Sequence, residues 1–116
     1  VAEAAELIAA QQAIRTIRVE RSVVDYLLKL SRSTRGAAGA QLGASPRGSL
    51  ALYRAAQARA ALQGRDFALP DDVKRMAPSV LTHRIVLDAQ SRLRNRSAED
   101  ILREALERTP APVDVV

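Results

Sequence analysis

The stretch Leu42-Gly43-Ala44-Ser45-Pro46-Arg47-Gly48, with the alanine-rich run that follows it through Leu62-Gln63-Gly64, decides how the rest of the chain is read. Ser45 is a good helix N-cap because its hydroxyl can accept from an unpaired first-turn amide, and Pro46 suits the next position, where its missing N–H costs nothing. Arg47 then falls at the second helical position, where free amides and the positive helix end favour an anion. Ala and Leu dominate from Leu50 to Leu62, and Gly64 supplies the left-handed residue that commonly ends a helix. On such a helix Arg47, Ala51, Arg54 and Ala58 share one side, while Ala51, Ala55 and Leu62 are expected to centre an adjoining packing face.

The totals frame that helix. With 116 residues and 47% hydrophobic content, one domain can bury a core without a metal or disulfide. No cysteine is present, which excludes a disulfide scaffold and a thiolate zinc site and suits a reducing cytoplasm. His83 is the single histidine, no carboxylate cluster accompanies it, and no metal site is expected. No apolar run is long enough for a membrane span, and the start lacks the order of a signal peptide, so a soluble, cytoplasmic protein is expected. The first residue is Val1, and a segment of a longer protein is expected. A net charge of +5 invites nucleic acid, but the cations are scattered and aromatics are only 3%, leaving no base-stacking platform, so nucleic acid is the minority reading.

Periodicity predicts an all-α helical bundle with room for a minor pair of short extended segments. A first helix is expected from Val1 to about Ile14, with Ala4, Leu7, Gln11 and Ile14 on one stripe. A second is expected from about Ser22 to Thr34, on Val23, Val24, Leu27, Leu28 and Leu30. Arg15–Glu20 alternates apolar and charged residues, and Ile17–Val19 could pair with Arg65–Leu69. Arg35–Gln41 reads as a flexible connector, since it lacks the preceding strand and the Gly-Lys-Ser/Thr ending of a phosphate loop. Pro70-Asp71-Asp72-Val73 opens a helix in which both acids complement the dipole, and Pro78 predicts a kink or fresh start. His83 is expected to be buried and hydrogen-bonded, and Arg92, Arg94 and Arg96 to lie in a solvated loop. Ser97-Ala98-Glu99-Asp100 has the pattern of a capping box ahead of a last helix to Arg108. The division expected is a helical domain over 1–108 and an extended tail over 109–116.

Gly43-Ala44-Ser45-Pro46-Arg47, Leu50-Ala51-Leu52-Tyr53-Arg54-Ala55-Ala56, Gly64-Arg65-Asp66-Phe67, Pro70-Asp71-Asp72-Val73 and Leu81-Thr82-His83-Arg84 together resemble the C-terminal lid of the MoxR family of AAA+ ATPases. The resemblance spans nearly the whole chain. It implies a small helical lid beside an αβα nucleotide-binding domain of the same chain, ATP and Mg²⁺ in the complete protein, and subunits in a ring, commonly a hexamer. It implies protein remodelling or cofactor insertion, often beside a von Willebrand A-type partner. Arg47 becomes the sensor-2 arginine, with Ser45 at its cap and Arg54 as a weak second contact, better suited to a surface or interdomain ion pair.

An arginine stays charged and forks two hydrogen bonds onto phosphate oxygens, as that role requires. Two positions depart from the family pattern. Gly48 stands where alanine is common, which would loosen the first turn, and Leu69 stands where a threonine would cap. The chain has no phosphate loop, no acidic strand end for Mg²⁺ and no identifiable arginine finger, so this segment alone is not expected to hydrolyse ATP. The competing readings are a basic helical nucleic-acid module and a stand-alone helical adaptor.

Overall fold

The computed structural model describes residues 3–37 and 39–113. In chain order these form α1 (Ala4–Arg15), α2 (Arg21–Arg35), β1 (Ala40–Leu42), α3 (Pro46–Leu62), α4 (Pro70–Leu81), a 3₁₀ turn (Thr82–Arg84), β2 (Val86–Leu87), α5 (Ala89–Leu93) and α6 (Ala98–Arg108). The all-α class holds. The expected first residues of α1 and the last residues of the tail lie outside the described residues. No helix of the described residues is long and apolar enough to cross a membrane.

Four helices make the core. Val23, Tyr26, Leu27 and Leu30 of α2 meet Leu52 and Ala56 of α3, Val73, Ala77 and Leu81 of α4, and Ile101, Leu102 and Ala105 of α6. The inward face of α3 is turned by about one residue from the expected one: Gly48, Leu52, Ala56 and Ala60 are buried, Ala51 and Ala55 are half-buried, and Leu62 is 85% exposed. Alanine occurs on both faces, so composition could not choose between them, and the buried i, i+4 row is the one that carries Leu52. The end of α3 is a Schellman motif, in which Arg65 N–H donates to the Ala60 carbonyl (3.0 Å) and Gly64 N–H to the Ala61 carbonyl (3.0 Å). Gly64 has φ +77°, as the left-handed position requires.

Several expectations are corrected. Pro78 does not restart its helix: α4 runs unbroken through it, with Pro78 exposed and Val73, Ala77 and Leu81 buried around it. Water can then satisfy the carbonyl that the missing N–H abandons, while packing holds both flanks. The connector 35–41 carries β1, which pairs antiparallel with β2, a pairing the sequence did not suggest. Arg92 lies on α5, a short helix capped by the Asp88 side chain, and not in a loop. Arg96 is tied to Glu104 at 2.7 Å. α1 buries none of its residues, and Leu7 and Ile8 stay more than half exposed.

Other expectations are met. Arg18 and Phe67 form the parallel bridge between the two short extended segments, with Arg18 N–H donating to Asp66 (2.9 Å) and Ala68 N–H to Arg18 (2.8 Å). Ser97 and Asp100 complete the capping box, each side chain accepting from the other's backbone amide (3.1 and 3.0 Å). Beyond α6, Ala111 packs on the core.

Candidate functional site

The start of α3 is held from behind. The Gly43 backbone runs against the last turn of α2 so closely that a Cβ there would lie 2.4 Å from Arg35 N and 2.5 Å from Arg35 Cα. Glycine fits that contact and no other residue does. The next residue, Ala44, is fully buried and bolted at both polar groups: its N–H donates to Thr34 Oγ1 (3.0 Å), and its carbonyl accepts from Arg35 Nη1 (3.2 Å). Thr34 Oγ1 in turn donates to the Ser31 carbonyl at 2.6 Å. The last turn of α2 therefore fixes the first turn of α3.

On that footing Ser45 caps α3 as predicted, its Oγ accepting from Gly48 N–H at 3.4 Å, with Pro46 at the first helical position. Arg47 follows at the second. Its side chain is exposed and makes no hydrogen bond or ion pair with any other described residue. A guanidinium on a capped helix start, unspent inside the domain, can fork onto an oxyanion delivered from outside.

Gly48 acts differently from the loosening expected. It is buried, and a Cβ on it would meet Arg84 Cδ at 3.2 Å and Leu81 Cδ2 at 3.4 Å. The glycine lets the Arg84 stem lie across the first turn of α3, while Arg84 Nε donates to the Val80 carbonyl at 3.1 Å. Leu69 offers no side-chain cap to α4, but Asp72 Oδ2 accepts from Leu69 N–H at 2.7 Å, which supplies one half of a capping box.

Arg54 lies two turns beyond Arg47. It forms no ion pair with a described residue; its Nη1 donates to Gln57 Oε1 (3.1 Å) and its guanidinium lies 5.6 Å from the Tyr53 ring centre. Gln57 is buried and donates through Nε2 to the Ile17 carbonyl (2.8 Å), tying α3 to the exit of α1. His83 is exposed, contrary to the buried role expected, because it sits on the outer side of the 3₁₀ turn while Leu81 and Ile85 point in. Among the described residues no group of three or more His, Asp or Glu is placed to hold a metal ion.

The buried charge centre was not foreseen. Asp72 is fully buried and accepts from Arg59 Nη1 (2.6 Å), Arg65 Nη2 and Nη1 (both 2.7 Å), and Leu69 N–H. Burial works to raise its carboxyl, but the Arg65 guanidinium, the Leu69 amide and Arg59 outweigh that and hold it below the usual carboxylate range. Asp72 thus clamps α4 to the end of α3. No positioning group here, whether Asp72, Thr34 or Arg35, carries a local signal beyond an ordinary helix-end residue; Gly43 beside the cap is the one hint.

A family model for the AAA lid domain matches residues 32–105. The chain is 39% identical to the YeaC protein of Bacillus subtilis over 103 residues, covering 89% of this chain and 32% of that protein. It is 32% identical to the chaperone MoxR1 of Mycobacterium tuberculosis over 103 residues, 81% of this chain and 27% of that one. A crystal structure of a candidate ATPase from Cytophaga hutchinsonii superposes with a TM-score of 0.83 at 28% identity, over 88% of this chain and 34% of that chain. The chain spans about a third of the length of the relatives it matches. With its four-helix core and its capped arginine helix, the chain belongs to the AAA lid domain family, as the lid region of a MoxR-family AAA+ ATPase.

Proposed function

We propose that Arg47 is the sensor-2 arginine of this lid, reaching the phosphates of ATP held by a nucleotide-binding domain of the same chain. The observation that carries the reading is the contrast between Arg47, exposed and without a partner among the described residues, and the tightly held backbone at Gly43 and Ala44 just before it. A charge-assisted contact of this kind is worth about 1.5–3 kcal/mol, enough to make lid position depend on the γ-phosphate. Ser45 serves by capping the helix, and Arg54, engaged with Gln57, stands farther from the phosphates.

In this reading the complete protein uses ATP and Mg²⁺, assembles in a cytoplasmic hexameric ring, and couples nucleotide state to remodelling of client proteins or cofactor insertion. A von Willebrand A-type protein is the partner the family resemblance suggests. The lid alone does not hydrolyse ATP, since the phosphate loop and metal-holding acid belong elsewhere.

The test is Arg47→Ala in the full-length protein. Turnover should fall at least about tenfold, the factor matching loss of one charge-assisted contact, with thermal unfolding unchanged because the side chain is exposed. Unaltered ATPase kinetics would remove Arg47 from the site.

A further inference from the structure

A cleft of about 390 Å³ opens between α1 and α3, lined by Gln11, Ile14, Arg15, Arg54, Ala55 and Ala58. Two guanidinium groups line it and no carboxylate does. Arg54 is held in place there: Gln57, 1% exposed, accepts from its Nη1 and is itself fixed by donating to the Ile17 carbonyl. Arg15 closes the last turn of α1, where a cation suits the helix end, and makes no hydrogen bond or ion pair with another described residue through its side chain. Two like charges facing one cleft call for an anion between them.

The floor narrows the choice. Ile14, Ala55 and Ala58 are apolar, so the cleft matches a short alkyl stem that ends in an oxyanion. A bare phosphate would satisfy the arginines and leave that floor wet. We propose that the cleft seats an acidic side chain, glutamate or aspartate, projecting from a partner protein surface, with its carboxylate shared by Arg54 and Arg15. The site is separate from the nucleotide reading: it lies about 10 Å farther along α3 than Arg47, and its test involves no nucleotide.

The experiment follows the arginine Nε–Hε resonances of the ¹⁵N-labelled 116-residue chain during titration with a blocked triglutamate peptide, with inorganic phosphate and a blocked trilysine peptide as separate arms. Arg15 and Arg54 should shift on one saturating curve, with phosphate weaker by about tenfold and trilysine silent. Arg54→Gln and Arg15→Gln should each weaken triglutamate by about tenfold. Gln57→Glu should weaken it similarly by giving Arg54 an internal carboxylate, with thermal unfolding confirming that the variant folds. Phosphate binding as tightly as the peptide, shifts spread over the other arginines without a shared curve, or unchanged affinity in Arg54→Gln would each overturn the proposal.

Discussion

Two glycines five residues apart separate what a side chain does to a helix from what it does to a junction. At Gly48 the nearest atoms to an added Cβ belong to the Arg84 and Leu81 side chains at 3.2 and 3.4 Å, which can move by a few tenths of an ångström. Gly48→Ala should therefore change stability by less than about 1 kcal/mol, helix propensity offsetting the displaced Arg84 stem. At Gly43 the atoms are backbone at 2.4–2.5 Å, and Gly43→Ala should lower stability by about 3 kcal/mol or more, read as a fall in urea midpoint. Asp72 makes a third prediction. Its carboxyl sits below the usual range in the folded chain, so its stabilising share is fully present above the unfolded value near pH 4 and is lost as pH falls through the folded value. Asp72→Asn should cost about 2–4 kcal/mol at neutral pH and flatten the acid limb of a stability-versus-pH curve. The acid was legible in the sequence only as a dipole-compensating residue, because that local role already explained it. Arg59 and Arg65, thirteen and seven residues away, become its partners only when α3 and α4 meet.

At the scale of elements, what could be read was what is local. Ser45, Pro46 and Gly64 set both ends of α3, and Ser97 with Asp100 sets the start of α6, because capping needs only three or four neighbouring residues. The inward face of α3 and the β1–β2 pair depend on residues far apart in the chain, so periodicity was silent about them. The unbroken course of α4 through Pro78 has a related reason: the rule that a proline breaks a helix omits the burial on either side of it. Pro78→Ala restores the missing N–H without disturbing Val73, Ala77 or Leu81, and should raise the thermal midpoint by stabilising α4 by about 1–3 kcal/mol. A lowered midpoint would mean that the proline contributes a contact of its own.

Across the whole molecule, stability is unevenly spread. α2, α3, α4 and α6 share the core, while α1 buries none of its residues and the segment just after it is held by Gln57 of α3 and by the Arg18–Phe67 bridge. Native-state hydrogen exchange should find α1 amides opening at far lower free energy than those of α2 and α3, in a separate cooperative unit. Equal protection would show that α1 unfolds only with the core. The candidate site lies on the protected side of that division. Because Gly43 leaves no slack between the last turn of α2 and the first turn of α3, Arg47 is coupled to the α2–α3 junction and not to a hinge of its own. In the proposed sensor-2 reading, its backbone would advance or retreat only as that junction turns, which would make the domain a stiff lever whose short arm ends in one guanidinium.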